Sequence, residues 1–137
     1  LLLGTVKTMK CSTRDMARFG LLVLAKGQWA GTPVVSGAYL AEATQASQPF
    51  NPAYGYLFWL NNSASHMLPK TPSAAGSLIP TAPADMISAL GAQDKKIYVV
   101  PSLDLVVIRH GKAAKEGGLA GSSFDIELWK RLALALK

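Results

Sequence analysis

The chain has 137 residues, half of them hydrophobic and 16% charged, a composition that excludes a disordered segment and suits one compact domain or a large piece of one. Its formal charge of +6 raises the question of acidic partners, yet the basic residues are scattered from Lys7, Lys10, Arg14 and Arg18 through Lys95 and Lys96 to Lys130, Arg131 and Lys137. They do not interleave with aromatics as base-stacking surfaces do, so nucleic acid is not an expected partner.

The first six residues, Leu1 to Val6, lack both the preceding charge and the cleavage site of a signal peptide. Ser12-Thr13-Arg14-Asp15 reads as a helix start, because a hydroxyl can accept from exposed backbone N–H groups and an acid three positions on favours the positive end of a helix. Met16, Phe19, Leu22 and Val23 recur at helical spacing and predict an amphipathic helix to about Lys26, stopped by Gly27. Gly20 inside it costs about 1 kcal/mol relative to alanine, which implies close packing against another element. A turn-rich connection leads to a second helix from about Ser36 to Thr44, capped by Ser36. After a polar loop over 45–52, the aromatic run Tyr54-Gly55-Tyr56-Leu57-Phe58-Trp59-Leu60 reads as a strand ended by Asn61-Asn62.

Residues 63–85 hold four prolines and many Ser, Ala and Thr, which predicts a long irregular loop of the kind that forms lids or substrate walls. Met86 to Ala92 is a short strand candidate. Lys96 to Val100 and Leu105 to Ile108 form a hairpin turning at Pro101-Ser102-Leu103-Asp104, and such apolar arms suit a central sheet covered on both faces. Beyond a glycine-rich break over 111–121, Phe124, Leu128, Trp129, Leu132 and Leu136 mark one stripe of a terminal helix, with Asp125 and Glu127 in its first turn favouring the helix dipole. Trp29, Trp59 and Trp129 are expected in the core. The order of elements gives an α/β (α+β) fold class, an antiparallel sheet flanked by helices.

Visible catalytic machinery is sparse. Cys11, the single cysteine, cannot form an internal disulfide, and with no histidine near it in sequence it reads as a packed residue. No serine has lysine three positions on, and no Gly-x-Ser-x-Gly elbow occurs. His66 and His110 have no carboxylate or cysteine neighbours at metal-ligand spacing, so no metal is expected. Gly117-Gly118-Leu119-Ala120-Gly121 lacks the ending of a phosphate-binding loop, and no cofactor is expected. The longest apolar runs fall far short of the ~20 residues that cross a bilayer, so no membrane span is expected either.

Three stretches in order carry a resemblance: Lys10-Cys11-Ser12-Thr13-Arg14-Asp15-Met16-Ala17-Arg18-Phe19-Gly20, then Tyr54-Gly55-Tyr56-Leu57-Phe58-Trp59, then Ala89-Leu90-Gly91-Ala92 with Lys96 to Val107. With Phe124-Asp125-Ile126-Glu127-Leu128-Trp129 they resemble the C-terminal part of penicillin-recognising serine hydrolases, specifically class C β-lactamases, related esterases and 6-aminohexanoate-dimer hydrolases. The resemblance implies a partial β-lactamase/transpeptidase-like fold, with residues 1–137 the C-terminal portion of one such domain and the nucleophile on an absent N-terminal portion. These enzymes use a Ser-x-x-Lys serine, a Tyr-x-Asn tyrosine and a Lys-Thr-Gly triplet. Only the triplet has a counterpart, Ala89-Leu90-Gly91, and its basic first residue is missing. That departure points away from β-lactam carboxylates and toward the esterase and nylon-oligomer branch.

By the same resemblance the backbone N–H of Ala92 is the second oxyanion-hole donor, and Leu90, Gly91, Thr8 and Met9 are substrate contacts. For Thr8 and Met9 ordinary loop packing is the competing reading, and for Gly91 a strand bulge. The implied partners are the missing N-terminal part or a complementary chain and a small ester or amide, in a periplasmic or secreted setting. The alternative is a stand-alone, non-catalytic binding module that keeps half of the fold.

Overall fold

A computed structural model describes residues 10–114 and 123–136. Helix α1 (Thr13–Leu24) begins where expected, with a reciprocal capping box. The Asp15 N–H donates to Ser12 Oγ at 3.2 Å and the Ser12 N–H to Asp15 Oδ2 at 3.0 Å, satisfying two donors that the chain leaves open at a helix start. The helix ends in a Schellman pair, Gly27 N–H to the Leu22 carbonyl at 2.8 Å and Lys26 N–H to Val23 at 3.0 Å. Both Lys26 and Gly27 hold left-handed backbone, and a β-carbon at Gly27 would press into the Val35 carbonyl. The stop expected at Gly27 therefore has a steric cause as well as a conformational one.

A small hairpin, β1 (Gln28–Trp29) with β2 (Thr32–Pro33), leads to α2 (Gly37–Ala43), where Ser36 Oγ accepts from the Tyr39 N–H at 3.4 Å. Trp29 is 43% exposed on this hairpin, so the expectation that it lies in the core is wrong; two-residue strands offer no second layer to cover it.

The aromatic run is also not one strand. Gly55 N–H bonds the Phe58 carbonyl at 2.9 Å, Leu57 turns at φ 64, and Tyr54 bridges Trp59, so residues 54–59 fold back on themselves. Only β3 (Trp59–Leu60) joins the sheet. The reason is tertiary: Gly55 lies against the Ala43 carbonyl, where a side chain would collide, and Tyr56 N–H donates to that carbonyl at 2.9 Å.

The long loop holds one minimal pair, β4 (Ser65–His66) with β5 (Ala74–Ala75). Two buried amides pin the rest. Asn61 donates to the Ile79 and Pro83 carbonyls at 3.0 and 3.1 Å and accepts the Ile79 N–H at 2.9 Å. Asn51 brackets Met67 through its carbonyl at 3.0 Å and its N–H at 3.1 Å. Leu78 and Ile79 thereby enter the core.

β6 (Ile87–Leu90), β7 (Lys96–Val100) and β8 (Leu105–Arg109) complete a four-stranded antiparallel sheet in the order β3-β6-β7-β8. The period-2 alternation of strands divides it into two faces. Ile97, Val99 and Val106 pack with Val23 and Leu24 of α1. Tyr98, Val100, Leu105 and Val107 pack with Leu128, Trp129 and Leu132 of α3 (Ser123–Ala135). Helices thus cover both faces, as the apolar hairpin arms require. Each aliphatic or aromatic side chain fully buried this way contributes roughly 1.5–3 kcal/mol. Trp129 meets Tyr98 edge to face, with centroids 5.5 Å apart, and anchors α3. Leu136 of the expected stripe lies exposed, past the last turn that reaches the sheet. The fold is thus mixed α/β, with three helices and antiparallel sheets among the described residues. No described helix is long and apolar enough to cross a membrane.

Candidate functional site

At the end of β6 a groove of about 570 Å³ opens, bounded by Ala89, Leu90 and Gly91 on one side and by Lys10, Cys11 and Met16 of the α1 approach on the other. Tyr54, Leu57, Lys95, Ile97 and His110 complete its lining. The walls are mainly apolar, Lys10 and Lys95 are among them, and no carboxylate lines the groove among the described residues.

The geometry at the strand end follows from where pairing stops. The last β6–β7 pair is Leu90 with Lys96, after which the Gly91 N–H closes on the Lys95 carbonyl at 2.8 Å. Between them the chain turns through Ala92–Asp94, with Gln93 and Asp94 both at positive φ. Ala92 is exposed at the head of this turn, beyond the last strand pair. Of the residues expected at the site, Leu90 and Gly91 line the groove and Ala92 directly follows them. Thr8 and Met9 lie outside the described residues, as does 115–122 of the glycine-rich break.

The fold adds residues that the sequence did not point to. His110 follows β8, and its Nδ1 shares a hydrogen bond with Thr13 Oγ1 at 2.9 Å, which carries the imidazole to the groove beside the start of α1. Cys11 and His110 thus line one groove although far apart in sequence; no hydrogen bond joins them among the described residues. Tyr54 reaches the groove while stacking edge-on against Trp59, with centroids 4.7 Å apart.

Behind the turn lies a buried ion cluster. Lys96 Nζ stands 2.5 Å from Asp125 Oδ2 and 3.1 Å from Asp94 Oδ1, with all three side chains at most 2% exposed. The Tyr98 hydroxyl donates to the other Asp125 oxygen. Asp94 Oδ2 accepts the Ala114 N–H at 2.8 Å, and its backbone carbonyl accepts from Arg109 at 2.8 Å. The Arg109 guanidinium lies over the Phe124 ring, 4.6 Å from its centre.

Burial pushes the Asp94 carboxyl up, but the Ala114 N–H, then Lys96 and Arg109, outweigh it and hold the group below its ordinary value. Burial, and then the Asp125 carboxylate, push the Tyr98 hydroxyl far above its ordinary range. Lys96 pairs with both carboxylates, and Arg109, bonded to the Asp94 carbonyl, adds a second positive charge near them, as buried charge demands. Asp125 therefore does more than favour the helix dipole. Glu127 keeps to the surface and pairs with Arg131 at 2.8 Å. The sequence did hold a signal for the cluster: Lys96 opens an arm expected to be covered on both faces, and a lysine there needs a partner.

Among the described residues no three His, Cys, Asp or Glu side chains gather as a metal site would require. No protein-family model matches the chain, and no curated protein matches it.

Proposed function

We propose that this chain is the C-terminal portion of a β-lactamase-related serine hydrolase, with a partial β-lactamase/transpeptidase-like fold, and that its groove forms one wall of an acyl-transfer site. A serine from polypeptide outside residues 1–137 attacks the carbonyl of a small ester or amide, the leaving group departs, and water then releases the acyl group from that serine. The Ala92 N–H donates to the oxyanion that develops on the carbonyl, a contribution of about 3 kcal/mol for one such donor. Leu90 and Gly91 flank the acyl chain, and Thr8 and Met9 are further substrate contacts in this proposal. The partner is accordingly the N-terminal portion or a complementary chain.

The observation that carries this proposal is the end of the β6–β7 ladder at Leu90 and Lys96, which leaves Ala92 past the last pair and next to a largely apolar groove. Met16, Tyr54 and Leu90 suit an apolar acyl group, and the apolar triplet Ala89-Leu90-Gly91, without a basic first residue, suits esters and amides.

Proline fits the first position of a turn entered from extended backbone, and Gly91 has φ −104 and ψ 172, so Ala92→Pro deletes the N–H with little change of path. In the intact protein kcat for p-nitrophenyl esters should fall about a hundredfold or more, with KM nearly unchanged. Residues 1–137 alone should not turn over these esters, and adding polypeptide that carries Ser-x-x-Lys should restore activity. Turnover by the isolated chain, or an unimpaired Ala92→Pro enzyme, refutes the proposal. An intact protein that binds apolar ligands without hydrolysing them favours the non-catalytic module instead.

A further inference from the structure

The turn that carries Ala92 is built on an unfavourable sequence. Gln93 at φ 58 and Asp94 at φ 56 give two successive left-handed residues, the backbone of a type I′ turn, where asparagine and glycine are the usual choices. Asp tolerates that conformation, whereas glutamine is not among its usual residues, and the Gln93 side chain accepts only a solvent-exposed bond from Lys95 Nζ at 2.8 Å. Something outside the turn has to hold it. Asp94 does not line the groove; its carboxylate points the other way, into the buried cluster, with Lys96 Nζ at 3.1 Å and the Ala114 N–H at 2.8 Å. Its carbonyl is held by Arg109 at 2.8 Å, and Lys96 is held in turn by Asp125 of α3 at 2.5 Å.

We propose that Asp94 is a positioning residue for the groove: its buried carboxylate ties the Gly91–Lys95 turn to β7, to Ala114 and through Lys96 to α3, and so keeps the Ala92 N–H in one place. A carboxylate with a cation and a backbone donor in a low-dielectric interior cannot swing out without leaving both underpaired. The turn therefore moves only if the cluster opens. The catalytic consequence rests on the acyl-transfer proposal above, while the structural one stands by itself.

Asp94→Gly separates the tie from the backbone, because glycine suits the left-handed position better than aspartate and removes only the carboxylate. Asp94→Asn keeps a carbonyl oxygen for Lys96 in the same volume but turns its NH2 toward the Ala114 N–H, so it restores the tie only in part. The Gly91 amide, bonded to Lys95 at 2.8 Å, reports closure of the turn, and the Val99 amide in β7 serves as reference. Hydrogen exchange at Gly91 relative to Val99 should quicken about tenfold or more in Asp94→Gly and clearly less in Asp94→Asn. In the intact protein kcat for p-nitrophenyl esters should fall about a hundredfold in Asp94→Gly, with KM within about twofold, and recover in part in Asp94→Asn.

Unchanged protection of Gly91 in Asp94→Gly overturns the proposal. If protection is lost as expected but the intact wild-type protein hydrolyses no ester or amide, the positioning role stands and the acyl-transfer proposal falls. Should Asp94→Gly not fold, Gln93→Gly takes its place. It relaxes the backbone and leaves the tie intact, so retained Gly91 protection supports the proposal and lost protection overturns it.

Discussion

Gly20 of α1 lies so close to Val106 of β8 that a β-carbon at position 20 would stand 2.5 Å from Val106 Cγ1 and 3.2 Å from Ile97 Cγ2. The glycine that weakens the helix is what lets α1 settle on the hairpin, and the same face of the sheet runs on to Ile97 in the groove.

Gly20→Ala sets two effects against each other. Alanine gains about 1 kcal/mol of helix propensity, whereas overpacking costs about 1–3 kcal/mol, and Val106 is β-branched with little rotamer freedom to yield. A net loss of about 1 kcal/mol is expected in urea melts. Val106→Ala should relieve the clash, giving a coupling of at least about 1 kcal/mol in the double-mutant cycle. Strictly additive effects would show that α1 shifts to make room.

Asn61 holds the loop over 63–85 through bonds to both the N–H and the carbonyl of Ile79. Asn61→Ala leaves those buried groups unpaired and should cost about 2–4 kcal/mol. Asn61→Asp keeps an acceptor for the Ile79 N–H but loses both donors, and should fare little better. Limited proteolysis should cut both variants first between residues 63 and 85, and wild-type resistance there would refute the pinning role.

The depressed carboxyl of Asp94 has an acid consequence. Its folded value lies below the ordinary 3.8, so the stability it contributes is complete above 3.8 and drains away as pH falls through the folded value. Urea midpoints between neutral pH and about pH 2 should drop for the wild type, with a shallower drop for Asp94→Asn from a lower starting stability. Parallel curves would remove Asp94 from the account.

Tyr98 acts at the other end of the scale. Its folded value is raised above the ordinary 10.0, so the associated stability is complete below 10.0 and is lost as pH rises beyond it, where the unfolded chain ionises first. Tyr98→Phe should cost about 2 kcal/mol near neutral pH, for a hydrogen bond to a charged carboxylate. Above pH 10 its stability curve should then be flatter than that of the wild type. Matching slopes would mean that Tyr98 does not stay protonated in the folded protein.

What the sequence determined by itself was local. Ser12 with Asp15 and Ser36 with Tyr39 cap their helices within four residues, and the apolar hairpin arms Lys96 to Val100 and Leu105 to Ile108 showed as strands in their β-branched residues alone. Leu90, Gly91 and Ala92 were singled out by resemblance, and the fold puts the first two on a groove and the third just past the last strand pair. What the tertiary structure decided was which distant groups meet. Lys96 in a covered arm called for a counterion; Asp94 lies two residues before it in the preceding turn, whereas Asp125 reaches it only because α3 packs on the sheet. His110 reached Thr13 across the fold, Tyr54 turned back on Trp59 where Gly55 meets Ala43, and Trp29 stayed outside because its short hairpin has no covering layer. Periodicity says which face of an element must be covered, whereas the partner that covers it depends on contacts between segments that no local pattern encodes.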